Sequence, residues 1–196
     1  MFKVDKISII DTIPDAPGAR SVFYWDKAGT AGKGAYTAGV WLIEVPQGLG
    51  SVKYVIRKVV RGQWSADERE EVIKREAMQA GELLPGTTVV VEQEPGSGGK
   101  ESAEATLNNL AGVKGIKARA DRPSGDKVLR ADPFSVQVNM GKVGILNGPW
   151  VRDFLEELRF FPYSHRKDQV DAAAGAFNWL VRKRGRAGGW SKPRGQ

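Results

Sequence analysis

Three consecutive segments near the start of the chain have the residue pattern of β-strands, and they constrain the fold most. They are rich in β-branched and aromatic residues and occupy residues 20–27, about 36–44 and 51–62. In the first, the period of two puts Phe23 and Trp25 on one face and Asp26 on the other. Because the connections are short, the sequence predicts an antiparallel meander of three strands.

After residue 62 the pattern changes from strands to an alternation of helices and strands. Ser65 and Glu68 form a capping box, which predicts a helix to about Ala80 with Gly81 as its stop. Further strands are predicted at 87–93, 115–120 and 142–146, and helices at about 100–111, 149–159 and 165–183, with Asp132–Pro133 as another helix start. This order favours an α/β fold with a mixed central sheet flanked by helices, as in the ribonuclease H-like architecture.

The composition excludes several kinds of active site. The chain has 196 residues with no cysteine and one histidine, His165, so thiol catalysis and multi-histidine metal sites are impossible. No apolar run approaches the roughly 18 residues of a membrane span, and the N-terminal segment does not resemble a secretory signal. We therefore expect a protein that is neither secreted nor membrane-bound and that acts in the cytoplasm.

The positive charge is concentrated at the C-terminus. The net charge is +7, and the last sixteen residues carry six Lys or Arg and no acid, which leaves +1 for residues 1–180. Such a segment is able to lie along phosphates, although it is equally able to be a solvated end. We expect one domain over residues 1–184 and a flexible basic tail over 185–196.

Acidic residues stand at the ends of three separate predicted elements. Asp26 ends an otherwise apolar strand, and Glu92 and Glu94 end another, where a period of two would place both on one face. Asp168 and Asp171 lie three apart at the start of the last helix and share a face. Carboxylates brought together from separate segments are the usual ligands of Mg²⁺ and Mn²⁺.

Such a site would suit phosphodiester hydrolysis. Two ions about 3.5–4 Å apart are able to hold the attacking and leaving oxygens in line, with no need for histidine or cysteine. Each acid also has a purely structural interpretation, as a turn former, as a solvated residue or as a partner of a helix dipole.

Two other catalytic motifs are ruled out. A P-loop would need glycine where Glu94 stands and Ser or Thr where Glu101 follows Lys100, and an esterase elbow would need glycine in place of Pro95. We therefore expect no ATP hydrolysis from this chain.

Four blocks resemble the nuclease domain of phage large terminase subunits, the DNA-packaging motors. In order, they are SVFYWDKAGTAGKGAYTAGV, VVVEQEPGSGGK, GDKVLRADPFS and HRKDQVDAAAGAF. The resemblance covers roughly residues 20–180 and implies a ribonuclease H-like fold. It also implies metal-dependent cutting of concatemeric viral double-stranded DNA, with Mg²⁺ or Mn²⁺ as a cofactor, in two copies.

The resemblance assigns roles to the same acids. Asp26 matches the strand ligand, Glu94 matches the acid of the second block with Glu92 as a competing candidate, and Asp168 and Asp171 match the last block. Asp26, Glu94 and Asp168 are the implied catalytic set, supported by Glu92 and Asp171 as further metal ligands.

One departure from the family pattern concerns that last block. The family has paired aspartates where this chain has Lys167 followed by an aspartate, which leaves the number of bound ions open.

The expected partners are double-stranded DNA and, by resemblance, the terminase ATPase domain, the portal and the small terminase subunit, in the cytoplasm of an infected cell. Phosphate contacts are expected from Lys100, Arg182, Lys183, Arg184 and Arg186. Two alternatives remain open: a junction-resolving nuclease of the same fold, and a catalytically weak module that binds DNA or the portal.

Overall fold

One mixed sheet organises the chain in the computed structural model, which describes residues 1–28 and 36–187. Its strands are β1 (Ser8–Ile10), β2 (Arg20–Asp26), β3 (Thr37–Gly48), β4 (Ser51–Gly62), β5 (Thr87–Glu92), β6 (Ile116–Asp121) and β7 (Val143–Leu146). The helices are a short 3₁₀ helix (Val4–Lys6), α1 (Ala66–Leu83), α2 (Ser97–Leu110), α3 (Lys127–Asn139), α4 (Val151–Phe160) and α5 (Asp168–Ala187).

The sheet combines an antiparallel centre with parallel flanks. Its order is β1-β7-β4-β3-β2-β5-β6, and β2, β3 and β4 form the predicted antiparallel meander. On one side β2, β5 and β6 run parallel, with Trp25 opposite Val91 and Glu92 opposite Asp121. The carboxyl ends of these three strands therefore lie at one edge of the sheet.

The two faces of β2 bury different cores. Val22 and Tyr24 face the core that contains α3 and α5, whereas Phe23 and Trp25 face the core that contains α1 and α2. Helix α5 lies very close to β2, because a Cβ atom at Gly175 would come within 2.3 Å of the Tyr24 ring. A larger residue at position 175 would push α5 away from the strand.

Helix α1 begins as predicted but continues past its predicted stop. The Ser65–Glu68 capping box is present, and the helix runs through Gly81 to Leu83. Gly81 serves packing instead of termination, since a Cβ there would lie 2.2 Å from the carbonyl oxygen of Lys114.

Helix α3 begins earlier than the sequence pattern indicated. Its N-cap is Asp126, whose side chain accepts hydrogen bonds from the amides of Val128 and Leu129. Pro133 therefore lies inside the helix and not in a first turn that starts at Asp132. The stronger cap decides where this helix begins.

The C-terminal helix also differs from its predicted limits. It starts at Asp168 and continues to Ala187, beyond the boundary expected after residue 184. The rest of the expected tail, residues 188–196, lies outside the described residues. No helix in the described part of the chain is long and apolar enough to cross a membrane.

Candidate metal centre

Four acids meet where the carboxyl ends of β2 and β5 approach the first turn of α5. Asp26 ends β2 and Glu92 ends the neighbouring β5, while Asp168 and Asp171 lie in that first turn. The parallel register of β2 and β5 brings the first two together, and the close packing of α5 on β2 adds the other two. We call these four residues the acidic centre.

The electrostatics of Asp26 show how strongly these acids interact. Burial, followed by the negative charge of Glu92, raises the pKa of Asp26 to about 8, and Asp171 and Asp168 act in the same direction. The positive charge of Lys127 opposes them. These surroundings disfavour the ionised form of Asp26, and a cation bound at the centre would favour it.

Lys127, the first residue of α3, lies between two of the acids. Its Nζ donates a 2.5 Å hydrogen bond to Oδ2 of Asp171 and lies 3.7 Å from Oδ2 of Asp26. The other carboxylate oxygen of Asp171, Oδ1, is buried and has no hydrogen-bond partner among the described residues. That unpartnered oxygen is a site where a further cation would be stabilised.

Asp168 occupies a less buried place at the rim of the centre. Burial raises its pKa, whereas the backbone amide of Tyr36 and the charge of Lys127 lower it. Tyr36 precedes β3, whose first residues pair with the end of β2. The centre is thus bordered by the meander as well as by the parallel strands.

Glu92 is held by neighbours that the sequence analysis did not single out. Arg130 Nη1 lies 3.4 Å from Glu92 Oε1, and the Tyr24 hydroxyl lies 3.4 Å from Glu92 Oε2 and donates a 3.0 Å bond to Asp121. Burial raises the pKa of Tyr24 far above its usual value, so the hydroxyl remains a donor. Lys127 and Arg130 both lie in the GDKVLRA block. Their spacing of three residues, which places them on one helix face, is the sequence feature that could have indicated two positive charges beside the acids.

Glu94 does not join the acidic centre. The period-two alternation that would have put it beside Glu92 stops because β5 ends at Glu92, and Glu94 lies in the loop that follows. Its charge acts on the pKa of Lys27, a residue of the opposite sheet face, and it is not among the main influences on Asp26. Of the two candidates in this block, the structure therefore brings Glu92 to Asp26.

The expected phosphate-contacting residues are dispersed. Lys100 is exposed, forms a 3.6 Å ion pair with Glu104, and shares a cleft with Glu94 and Arg122. Arg182 donates a 2.7 Å hydrogen bond to the buried carboxylate of Asp121. The side chains of the other three predicted residues lie outside the described part of the structure: Lys183, Arg184 and Arg186.

The acidic centre fits a hard divalent cation in its chemistry, although not in its present side-chain positions. Carboxylate oxygens are the ligands that Mg²⁺ and Mn²⁺ prefer, and Asp171 Oδ1 is buried without a partner. Within residues 1–28 and 36–187, however, no three acidic or histidine side chains converge tightly enough to hold an ion. The ammonium of Lys127 lies where the acids would have to converge.

The mixed sheet, its helices on both faces and the acids at the ends of β2 and β5 define a ribonuclease H-like domain. Residues 23–179 match the family model described as the terminase RNase H-like domain. Because the match spans most of the chain, the protein belongs to that family. A comparison with curated protein sequences gave no match.

Solved structures with the same fold come from a herpesvirus and from phages. The human cytomegalovirus terminase nuclease domain, soaked with Mn and bound to an inhibitor, has a TM-score of 0.64 and 13% identity over 81% of this chain and 82% of its own. The phage P22 large terminase nuclease domain has a TM-score of 0.59 and 14% identity over 93% of this chain and 90% of its own. The magnesium-bound large terminase nuclease of the thermophilic phage G20c has a TM-score of 0.57 and 15% identity over 89% of this chain and 94% of its own. At these identities the likeness establishes the fold.

Proposed function

We propose that this domain is the metal-dependent endonuclease of a DNA-packaging terminase, which hydrolyses phosphodiester bonds of concatemeric double-stranded DNA. The observation that carries the proposal is the acidic centre itself, in a chain of the terminase family. Burial and the neighbouring acids disfavour the ionised form of Asp26, and a bound cation would favour that form. The solved domains of the same fold include forms soaked with Mn or bound to Mg, which supports the same chemistry.

The proposed ligands are Asp26, Glu92, Asp168 and Asp171, and the proposed cofactor is Mg²⁺ or Mn²⁺ in two copies. Glu94, which matches the family motif, is retained only as an alternative ligand to Glu92. Divalent cations bound at such carboxylates lower the pKa of an attacking water and neutralise the developing charge on the leaving oxygen.

The surrounding residues would fix the ligands. Arg130 and Tyr24 limit the rotation of Glu92, and the close contact at Gly175 sets the distance from α5 to β2. Such neighbours orient a ligating carboxylate and fix the spacing of the elements that carry the ligands.

The DNA would lie over the edge that carries the acidic centre. Arg122, Arg130 and Arg182 line a cavity that also includes Asp171. Guanidinium groups bind phosphate well, so this edge is the proposed path of one strand, with Lys100 in the adjacent cleft. The terminase ATPase domain, the portal and the small subunit are the proposed protein partners, in the cytoplasm of the infected cell.

The test is cleavage of supercoiled plasmid by the wild type and by Asp26→Asn, in Mn²⁺, Mg²⁺, Ca²⁺ or EDTA. We expect nicking and linearisation in Mn²⁺ or Mg²⁺, no cutting in EDTA, and at least about a 100-fold loss of rate in the variant, since even indirect contacts to a metal ligand are worth 10- to 100-fold. The matched control is Asp132→Asn, which changes an exposed aspartate of α3 and should cut like the wild type.

Two results would replace the proposal. Salt-dependent DNA binding with no metal-dependent cutting by a folded wild type would favour a binding module. Cutting confined to four-way junctions would favour a resolvase.

A further inference from the structure

We propose that Lys127 is an internal counter-cation of the acidic centre, which a divalent ion has to displace in order to bind. This inference rests on the proposed function, because it concerns the same carboxylates. It adds a residue that limits metal affinity in the absence of DNA.

The position of the ammonium group is the first observation. Lys127 Nζ bonds to Asp171, whose side chain is 1% exposed, and lies 3.7 Å from Asp26, whose side chain is 15% exposed. Both acids are the proposed metal ligands on facing elements. A lysine ammonium has three donors and no acceptor, so it is unable to ligate a metal ion, and its charge repels an ion bound between the same two carboxylates.

The freedom of the side chain to leave is the second observation. The side chain of Lys127 is 51% exposed, while its backbone is fixed as the first turn of α3 by the Asp126 cap. The ammonium is therefore able to swing into solvent without any movement of the helix. Arg130, one turn later, is different, because its side chain is only 16% exposed and is held at Glu92.

The unpartnered oxygen of Asp171 is the third observation. Asp171 directs Oδ2 to Lys127, while its buried Oδ1 has no partner within residues 1–28 and 36–187. One positive charge thus satisfies only part of the centre, and a divalent ion would satisfy more of it. Exchange of the ammonium for a divalent ion is therefore favourable, but it costs the bond between Lys127 and Asp171.

DNA should make this exchange easier. A phosphate that reaches the centre offers the displaced ammonium a new partner, which removes part of the cost of metal binding. By linkage, DNA should then raise the affinity for metal and metal should raise the affinity for DNA, to the same degree.

The test is calorimetric titration of Mn²⁺ into the metal-free protein, with wild type, Lys127→Met, Lys127→Arg and Asp26→Asn. We expect Lys127→Met to bind Mn²⁺ at least about tenfold more tightly than the wild type, because an opposing charge a few ångströms from the ligands is removed. Lys127→Arg keeps the charge and should bind no more tightly than the wild type. Lys74→Met removes an exposed lysine of α1, on the other face of the sheet, and should leave the affinity unchanged.

A second titration, in the presence of an uncleaved phosphorothioate duplex in Ca²⁺-free buffer, tests the coupling. The duplex should raise the Mn²⁺ affinity of the wild type several-fold more than that of Lys127→Met. If Lys127→Met does not fold in EDTA, Lys127→Gln keeps a hydrogen-bond donor for Asp171 without the charge and carries the same expectation.

Equal or weaker Mn²⁺ binding by the folded, uncharged variants would overturn the inference and would make Lys127 a residue that orients Asp171 for the metal. In that outcome the wild type still binds Mn²⁺ and Asp26→Asn does not, so the proposed function stands. An absence of Mn²⁺ binding in all variants would overturn both.

Discussion

Two adjacent residues at the end of β2, Asp26 and Lys27, enter opposite faces of the sheet and meet opposite environments. Asp26 faces the acidic centre, where most of its neighbours have the same charge. Lys27 faces α1 and α2, where its Nζ donates 2.8 Å hydrogen bonds to the carbonyl and hydroxyl oxygens of Ser102 and to the hydroxyl of Thr106.

On the Lys27 side the buried ammonium has an oppositely charged neighbour. Glu70 lies 3.8 Å from Nζ, and burial lowers the pKa of Lys27 to about 8, although the charge of Glu70 opposes this shift. One face of the strand end is thus fixed by complementary partners. The other face retains unfavourable like charges, which is typical of sites that await a ligand. Adjacent positions thus enter a cluster of paired charges on one face and the proposed metal site on the other.

A large effect is expected to distinguish Glu92, the last residue of β5, from Glu94 in the loop that follows. Glu92→Gln removes a charge from the acidic centre and should reduce Mn²⁺-dependent plasmid cleavage at least about 100-fold. Glu94→Gln is the matched control, because Glu94 lies on the Lys27 side of the comparison, and it should stay within a few-fold of the wild type. Initial rates under single-turnover conditions measure both, and a reversed order would assign the metal to the loop and not to the strand end.

A smaller effect is expected on stability. Lys27→Met leaves Ser102 and Thr106 without their common donor and should lower the free energy of unfolding by about 1–3 kcal/mol. Asp26→Asn should instead raise the stability of the metal-free protein, because it removes a carboxyl whose ionised form is disfavoured by burial and by the neighbouring acids. Urea denaturation in EDTA measures both changes. A stabilising Lys27→Met would show that the buried ammonium costs more than its partners return.

The two residues should also affect stability over different pH ranges. Folding raises the pKa of Asp26 to about 8, so the folded state binds more protons than the unfolded state between about pH 4 and 8. The free energy of unfolding therefore falls as the pH rises through this range. Folding lowers the pKa of Lys27 to about 8, so the unfolded protein binds more protons than the folded protein between about pH 8 and 10.5. The free energy of unfolding therefore rises with pH through this range.

Urea titrations of the metal-free protein from pH 5 to 10 should show both trends. Asp26→Asn should remove only the trend below about pH 8, and Lys27→Met should remove only the trend above it. A loss of both trends in either variant would mean that the two faces are not independent.

The local sequence determined much of this protein. The period of two in residues 20–62 specified the meander, since side chains on a strand alternate regardless of what lies above or below them. The Ser65–Glu68 box specified the start of α1, because a helix cap is made within four residues. The same local logic placed Asp26 at a strand end and Asp168 and Asp171 on one helix face.

Only the tertiary structure decided which of these acids meet and what lies between them. The choice of Glu92 depends on where β5 ends against β2 and β6, and the presence of Lys127 depends on where α3 begins relative to α5. Glu92 lies 68 residues along the chain from Tyr24, and Lys127 lies 44 residues from Asp171. No local period spans such distances, because register between distant strands and helices is set by how the whole core packs.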